Sequence, residues 1–462
     1  ALLFAATVVL SASVSGHIRL QYLQNGNPLF WANPEHICVV INADGSDDIA
    51  DGSTDTAIRN AFQSWNSVDG SRARLFENTS PGARARRDWE ANDIHMVVFD
   101  EDDTTGFFPG FSGTVAITPI AFLTNGEIRD ADIIFNGKNF TFTTSEENGR
   151  FDIQNLATHE AGHLLGLDHT GVCGATMFPY VDQSTMLHRS LALDDKGGLR
   201  HMYPSEMFAR ISGRLERPGG ILGVRGAHIV ARDTTGRVKG AVLTDVLGNF
   251  TLEGLDRGTY TLYADPLDQP VSSGNLGGGQ IIETDFATME LGTVTATEGL
   301  TVSLGDFTAL PDEAVSLGRV SDNYPLRVVR GATQTVNLRG AGLVNGSTVR
   351  VSDPTIGVTN VTWFGSSVRL DVTVPAGSPL GHIDVEVATP AEGMDILVGA
   401  LEITPASPVL TSVAPASGPP SGGALLTITG MDFRSGSRVV IGDRIYADGV
   451  PGGCSVVDDT TI

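Results

Sequence analysis

The stretch His159-Glu160-Ala161-Gly162-His163-Leu164-Leu165-Gly166-Leu167-Asp168-His169 decides the fold of the first part of this 462-residue chain. His159 and His163 are four residues apart, so on a helix their side chains lie on one face, about one turn apart. Gly166 tolerates a positive φ, which makes it the position where the helix can end and the chain can turn. The sequence therefore predicts a helix that presents two imidazoles, followed by a turn that brings His169 back beside them.

Three neutral imidazoles form a ligand set that zinc prefers, and they leave a fourth coordination position for water. Zinc lowers the pKa of such a water to about 7. Glu160 is a candidate general base, which takes a proton from the water as it attacks a carbonyl carbon and passes it to the leaving amine. The motif thus predicts a zinc hydrolase with His159, His163 and His169 as ligands. A metal-free descendant is the alternative, although all three ligands and the acid are present.

The residues after the motif, Ala175-Thr176-Met177-Phe178-Pro179, resemble the Met-turn of the metzincins and, within them, of the matrixin branch. The resemblance implies an α/β (α+β) catalytic domain with a twisted mixed sheet, one catalytic zinc, and Met177 as an apolar floor beneath it. Pro179 stands where other metzincins carry a zinc-binding Tyr, so no tyrosine ligand is expected. Tyr180 stands one residue earlier than the matrixin pattern places it, which leaves the wall of the S1′ pocket unassigned.

The resemblance extends to both sides of the motif. Residues 56–65 resemble the first matrixin helix, and residues 193–199 resemble the last, whose first aspartate, Asp194, is implied to support the Met-turn. Residues 113–117 resemble the edge strand that pairs with the substrate backbone, with Val115 and Ala116 as candidate contacts.

Vertebrate matrixins carry histidines for a second, structural zinc in two of these segments. Ile117 and Ile134 stand at the matching places here, so one zinc is expected and not two. His95 is expected to be a strand histidine rather than a ligand.

Two acidic clusters are candidate calcium loops, with solvated acidic loops as the alternative. One is Asp100-Glu101-Asp102-Asp103. The other lies within residues 42–55 and contains Asp44, Asp47, Asp48, Asp51 and Asp55. The second cluster lacks the EF-hand pattern, because Ile49 occupies the position that needs glycine.

Composition and the amino end predict the compartment. Residues 1–16 form an apolar run with small residues at its end, which is typical of a secretory signal peptide and too short to span a bilayer. The net charge of −24 argues against nucleic acid and anionic membranes as partners. We therefore expect a secreted, extracellular protein without a membrane span. No propeptide with a cysteine motif lies between the signal and the first strand, so the domain is expected to be active once exported.

The three cysteines are Cys38, Cys173 and Cys454. An odd number leaves at least one thiol without a partner in this chain. A disulfide between Cys38 and Cys173 and two buried free thiols remain open as alternatives.

The chain is too long for one domain. The catalytic domain is expected over residues 17–205. Residues 206–307 show short alternating runs with turn signals and resemble the carboxypeptidase regulatory-like domain, a transthyretin-like β-sandwich. Residues 335–347 align with residues 425–437 at an offset of about 90, the size of an Ig-like sandwich. We expect an Ig-like sandwich over 323–404 and an IPT/TIG-like domain, cut short, over 408–462, with linkers at 308–322 and 405–407.

Two functions follow from this organisation. In the first, the protein is a secreted endopeptidase that acts on protein or peptide substrates, and its all-β sandwiches hold it on a cell surface or an extracellular polymer. In the second, it is mainly an adhesion or matrix-binding protein with a subsidiary or inactive peptidase domain. The intact zinc motif favours the first, and the acidic tandem sandwiches alone would favour the second.

Overall fold

The computed structural model describes residues 18–462 with short gaps at 23–25, 90–91, 146, 278–279, 313–314, 320–321, 392, 420–422, 434–436, 443, 449–452 and 459. The predicted signal segment, residues 1–16, lies outside the described residues. In the described part of the chain, no helix combines the length and the apolar character that crossing a bilayer requires.

The first unit has a five-stranded sheet in the order β4-β3-β5-β9-β6, parallel except for the antiparallel edge strand β6. Its elements are β1 (Gln21–Tyr22), β2 (Asn27–Pro28), β3 (Ile37–Ile41), α1 (Ser53–Asn66), β4 (Leu75–Glu77), α2 (Pro81–Arg84), β5 (His95–Phe99), β6 (Ala116–Ile117), β7 (Ile120–Phe122), β8 (Ile128–Ala131), β9 (Ile133–Phe135), β10 (Phe142–Thr143), β11 (Phe151–Asp152), α3 (Ile153–Leu165) and α4 (Leu193–Met202), with 3-10 turns at Pro34–His36 and Leu187–Arg189.

Helices α1 and α3 pack together in the core of this unit. The apolar face of α1 includes Trp65, whose indole N–H donates to the carbonyl of Thr158 on α3 at 2.8 Å. Helix α3 begins where the Asp152 side chain accepts the N–H of Asn155, and it ends at Gly166, which has a φ of 103°. The predicted end of the motif helix is therefore confirmed, and a left-handed glycine makes the turn.

The second unit is a sandwich of a three-stranded sheet, β15-β12-β18, and a four-stranded sheet, β14-β13-β16-β17. Its elements are β12 (Ala209–Glu216), β13 (His228–Asp233), β14 (Val238–Leu243), β15 (Asn249–Leu255), β16 (Gly258–Asp265), a 3-10 turn (Ser273–Asn275), β17 (Met289–Ala296) and β18 (Thr301–Thr308).

The third unit is a sandwich of two four-stranded sheets, β19-β21-β24-β23 and β20-β26-β25-β22, and the fourth unit has two hairpins. Their strands are β19 (Ser316–Leu317), β20 (Leu326–Val329), β21 (Thr333–Ala341), β22 (Thr348–Val351), β23 (Gly357–Trp363), β24 (Ser367–Thr373), β25 (Gly381–Ala388), β26 (Met394–Thr404), β27 (Val409–Ala414), β28 (Thr427–Met431), β29 (Arg438–Ile441) and β30 (Arg444–Ala447). Strand β19 lies inside the predicted linker 308–322, so that linker prediction is wrong. Its two residues pair with β21, which is distant in sequence. A strand of two residues is too short to show an alternating pattern from which it could be predicted.

The sequence repeat is also a structural repeat. Gly340 on β21 and Gly430 on β28 occupy equivalent places, and a Cβ on either would lie 2.1 Å from a carbonyl oxygen of the neighbouring strand. Leu343 and Phe433, three residues on, pack against these two glycines. The offset of 90 residues therefore relates two sites with the same packing, where glycine is needed because two strands approach closely.

The first three units share buried surfaces. Val172 and Ala175, just after the three-histidine motif, belong to an apolar cluster with Val230 of the second unit and Val398 of the third. The N–H of Cys173 donates to the carbonyl of Val398 at 2.9 Å. The segment that follows the motif is therefore packed between both sandwiches.

Cys38 and Cys173 are both free thiols, with Cys38 exposed and Cys173 buried. The predicted disulfide alternative is wrong, and the alternative of two buried thiols holds for Cys173 alone. Cys38 lies on the same face of β3 as Val40, which is buried in an apolar cluster, so the cover of that face ends before it reaches Cys38.

His228 is buried where the second unit meets the first, and neither of its ring nitrogens has a hydrogen-bond partner. Burial lowers its pKa from 6.5 to about 4. Below pH 6.5 the unfolded chain binds a proton that the folded protein does not bind until about pH 4, so folding stability is lost as the pH falls through this window.

The free energy of unfolding falls between pH 7.5 and pH 4.5. We expect this fall to be smaller by on the order of 2 kcal/mol in His228→Phe than in the unmodified chain. The measurement is the denaturant-derived free energy of unfolding at both pH values. His36→Phe, at an exposed histidine, is the matched control, and the other titrating groups cancel in the comparison. An equal loss of stability in His228→Phe and in the unmodified chain would contradict the assignment.

Candidate metal centre

The three histidines of the motif converge on one point. The Nε2 atom of His163 lies 3.1 Å from that of His159 and 3.2 Å from that of His169, and the remaining pair is 3.3 Å apart. His159 and His163 come from successive turns of α3, and His169 follows the turn at Gly166. Among the described residues, this is the one group of three or more potential metal ligands whose ligand atoms lie within 4.8 Å of one another.

Each imidazole is fixed from behind by a backbone carbonyl. The Nδ1 atoms lie 2.6 Å from the carbonyl oxygen of Thr176 for His159, 2.9 Å from that of Leu167 for His163, and 2.5 Å from that of Asn275 for His169. A carbonyl can only accept, so each Nδ1 must carry the proton and each Nε2 presents a lone pair. This arrangement is the usual outer support of metal-bound histidines.

The donor set fits zinc. A tetrahedral zinc with Zn–N distances of about 2.0–2.1 Å separates two ligand nitrogens by about 3.3–3.4 Å, which is close to the observed spacing. Burial, followed by the neighbouring histidines, lowers the pKa of His159, and burial with His169 lowers the pKa of His163 to about 3. Both rings are therefore neutral near pH 7, as a ligand must be.

Glu160 points into the same cleft from α3 and is 5% exposed. Its Oε2 accepts a hydrogen bond of 2.6 Å from the hydroxyl of Thr118, a residue just after β6. Burial raises the pKa of Glu160 to about 7. The carboxyl group can therefore both take and release a proton near neutral pH. Thr118 was not among the residues predicted from sequence, because a single Thr beyond a two-residue strand carries no motif.

Met177 lies beneath the site, and its Sδ would be 2.2 Å from a Cβ placed on Gly162 of α3. Glycine at this position of the motif helix is what lets the Met-turn approach. The turn is held by Asp195, whose carboxylate accepts from the N–H of Thr176 at 2.8 Å and of Met177 at 3.1 Å. Burial, and next the neighbouring Asp194, raises the pKa of Asp195 to about 6.

The expectation that Asp194 supports the Met-turn is wrong. Its carboxylate instead accepts from the Thr170 hydroxyl at 3.0 Å and from the N–H of Ala241 in the second unit at 2.7 Å. Adjacent residues on a helix point about 100° apart, so the shift by one position turns this side chain from the Met-turn toward the sandwich.

Around the histidines lies a cleft of about 980 Å³. Val115 and Ala116 line it, and Ala116 begins β6 at the edge of the five-stranded sheet. Tyr180 also lines the cleft, and its hydroxyl accepts the side-chain N–H of Asn275 at 2.9 Å. The structure thus brings together all the motif residues and the candidate edge strand, and it adds residues of the second unit that no sequence motif indicated.

Ile117 and Ile134 are paired across β6 and β9 and belong to an apolar cluster. No described histidine stands at these two places for a second zinc. The Nδ1 of His95 lies 2.8 Å from Oδ1 of Asp130, and its ring stacks edge-on against Trp31.

Three of the candidate calcium carboxylates make contacts with other side chains or backbone groups of the protein. Asp100 accepts hydrogen bonds from Thr104 and Thr105, and Asp103 pairs with Lys138 at 2.8 Å. In the other cluster, Asp55 pairs with arginines. Glu101 accepts the N–H of Asp47 at 3.0 Å, so the two acidic clusters lie side by side, and calcium binding stays a prediction.

Comparison with known proteins identifies two segments. Residues 30–204 match the Matrixin family model, and residues 408–462 match the IPT/TIG domain model. The predicted matrixin domain and IPT/TIG domain are therefore confirmed, as is the predicted fold class of a matrixin domain followed by β-sandwiches. The resemblance of residues 206–307 to a carboxypeptidase regulatory-like domain stays a prediction.

Among curated proteins, the chain is similar to the hatching enzyme of Paracentrotus lividus, with 30% identity over 161 residues, which are 35% of this chain and 24% of that protein. It is also similar to stromelysin-3 of Mus musculus, with 34% identity over 102 residues, 22% of this chain and 20% of that protein. The chain thus spans a quarter or less of these relatives. The major pilin subunit of Bacillus cereus aligns over 44% of this chain and 70% of its own, with 10% identity and a TM-score of 0.17.

Proposed function

We propose that this chain is a secreted zinc-dependent endopeptidase that hydrolyses peptide bonds of extracellular proteins. His159, His163 and His169 hold one catalytic zinc, and Glu160 is the general base. The observation that carries the proposal is the convergence of three Nε2 atoms, each backed by a carbonyl on Nδ1, beside a buried carboxylate in a large cleft. The matrixin match over residues 30–204 supports a metalloendopeptidase independently of this geometry.

When bound, zinc supplies a Lewis acid that activates water and polarises the scissile carbonyl. Glu160 receives the proton that the attacking water loses, on a carboxylate that Thr118 holds in place through Oε2. Glu160 then delivers this proton to the nitrogen of the departing amine, so that its carboxylate is regenerated.

The substrate backbone pairs with the free side of β6. The N–H of Asn136 already occupies the carbonyl of Val115 from the sheet side, at 2.9 Å. An extended peptide added at the outer edge would be the sixth strand, and its scissile bond would lie over the histidines that share the cleft. The sandwiches serve to hold the enzyme on an extracellular polymer or a cell surface.

Removal of zinc is expected to abolish cleavage. We would incubate the chain from His17 onward with a quenched fluorescent peptide library, with and without a chelator, and measure bound metal on the same sample. The proposal predicts chelator-sensitive cleavage, recovery on adding zinc, and about one zinc per chain.

The matched variants are His163→Ala, which removes a ligand, and His36→Ala, at an exposed histidine outside the site. The first should lose both zinc and cleavage, and the second should keep both. Zinc binding without cleavage of any peptide would contradict the proposed endopeptidase activity. Absence of bound zinc would favour the alternative of an adhesion or matrix-binding protein.

A further inference from the structure

A turn of the second unit reaches the zinc ligands of the first. The backbone carbonyl of Asn275, in the 3-10 turn Ser273–Asn275, lies 2.5 Å from Nδ1 of His169. The acceptors behind the other two histidines, Thr176 and Leu167, belong to the first unit itself. The third ligand is therefore oriented by a residue 106 positions further along the chain.

The side chain of Asn275 holds both the turn and the cleft wall. Its Oδ1 accepts the N–H of Ser272 at 2.9 Å, which closes the turn on itself. Its Nδ2 donates to the hydroxyl of Tyr180 at 2.9 Å. Both Asn275 and Leu276 line the cleft, so this one turn supports a ligand from behind and forms part of the substrate-facing surface.

The turn is anchored by the residue next to the third ligand. The buried carboxylate of Asp168 accepts from the N–H of His169 at 2.8 Å and from the N–H of Gly277 at 2.9 Å. A Cβ on Gly277 would lie 2.7 Å from Cδ2 of Leu20 and 3.1 Å from Oδ1 of Asp168. A Cβ here would require the terminal methyl of Leu20 to move, and the larger side chain of valine would also press on the Asp168 carboxylate that anchors the turn.

We propose that the segment 272–277 of the second unit is a positioning element of the zinc site, so that the catalytic unit comprises the matrixin domain together with the sandwich that follows it. This inference rests on the proposed zinc peptidase function. Without the Asn275 carbonyl, the His169 ring can rotate or carry its proton on Nε2, and either change removes a ligand lone pair from the metal. The same displacement frees Tyr180 and reshapes the cleft.

The test compares three variants of the full chain. Gly277→Val pushes the turn away from Asp168 and Leu20, and Asn275→Ala removes both side-chain anchors while leaving the backbone carbonyl. Gly377→Val is the matched control, because Gly377 is an exposed turn residue of the third unit, outside the cleft, where a Cβ would meet nothing within 4 Å. We would measure zinc affinity by chelator competition, the visible spectrum of the Co²⁺-substituted protein, and kcat and KM separately, with circular dichroism as the check of folding.

We expect zinc affinity to fall by about 10–100-fold in Gly277→Val, with an altered Co²⁺ spectrum, because loss of an outer support has an effect of this size. Asn275→Ala should lower zinc affinity to a smaller extent. It should also raise KM, because Tyr180 in the cleft wall loses its hydrogen bond from the Asn275 side chain. Gly377→Val should match the unmodified chain. The Co²⁺ spectrum separates positioning from a merely structural role, since it reports on the ligand geometry itself.

Unchanged zinc affinity and an unchanged Co²⁺ spectrum in Gly277→Val would overturn the inference while leaving the peptidase proposal intact. If Gly277→Val does not fold, Asn275→Ala decides in the same way. An unmodified chain that binds no zinc would overturn the proposed function and this inference with it, so the two failures are distinguishable.

Discussion

Replacing Glu160 by glutamine is expected to lower kcat by about 10²–10⁴-fold while one zinc stays bound. Glutamine keeps the shape of the side chain and can still accept the hydroxyl of Thr118 through its amide oxygen. It cannot take a proton from water, which is the step assigned to the carboxylate. The measurement is steady-state cleavage of a peptide identified in the library, together with metal content by elemental analysis.

Glu147→Gln is the matched control, because Glu147 is an exposed glutamate close in sequence to α3 and outside the cleft. It should keep full activity. A Glu160→Gln enzyme with more than a tenth of the unmodified kcat would contradict the role of the general base. Loss of zinc in this variant would instead point to a structural role of the carboxylate.

Replacing Arg232 by methionine is expected to destabilise the junction of the second and third units by about 3–5 kcal/mol. The Arg232 side chain is nearly fully buried and forms ion pairs with Asp384 and Glu386 of the third unit. Its guanidinium also lies 4.2 Å from the ring centroid of Tyr263. Methionine keeps much of the volume but leaves Asp384 without its cation and Glu386 with Arg350 alone, and the uncompensated charge of the buried Asp384 carboxylate causes the loss.

The matched control is Arg350→Met, since Arg350 pairs with the same Glu386 but its side chain is 70% exposed. We expect it to cost less than about 1 kcal/mol, as for exposed ion pairs in general. Unfolding in guanidinium chloride, followed by probes in each unit, measures both variants. Equal destabilisation by the two substitutions would contradict the argument that burial makes the Arg232 pairs decisive.

The motif predicted its own local structure well because helical spacing is a property of neighbouring residues. A separation of four residues places His159 and His163 on one face, and glycine at position 166 ends the helix with a positive φ. The repeat between β21 and β28 was equally readable, since the same side-chain pattern solves the same strand packing twice.

Predictions failed where the role of a side chain depended on which part of the folded protein packs against it. Asp194 and Asp195 are adjacent acids in sequence, and only the packing of α4 decides that Asp195 holds the Met-turn while Asp194 binds the second unit. The exposure of Cys38 depends on how far the cover of one face of β3 extends, since Val40 on the same face is buried. Strand β19 exists because β21 lies beside it.

The three-histidine motif, the Met-turn, the matrixin and IPT/TIG segments and the order of an α/β domain before β-sandwiches could all be predicted from the sequence. These features are encoded by residues that are close along the chain or by segments long enough to carry a period. The contact between Asn275 and His169 and the burial of Arg232 against Asp384 arise only from the way the folded units pack together. Every residue has a backbone carbonyl, so the sequence does not show which carbonyl will contact a histidine. The desolvation of a buried charge depends on surfaces that meet only when the units have folded against one another.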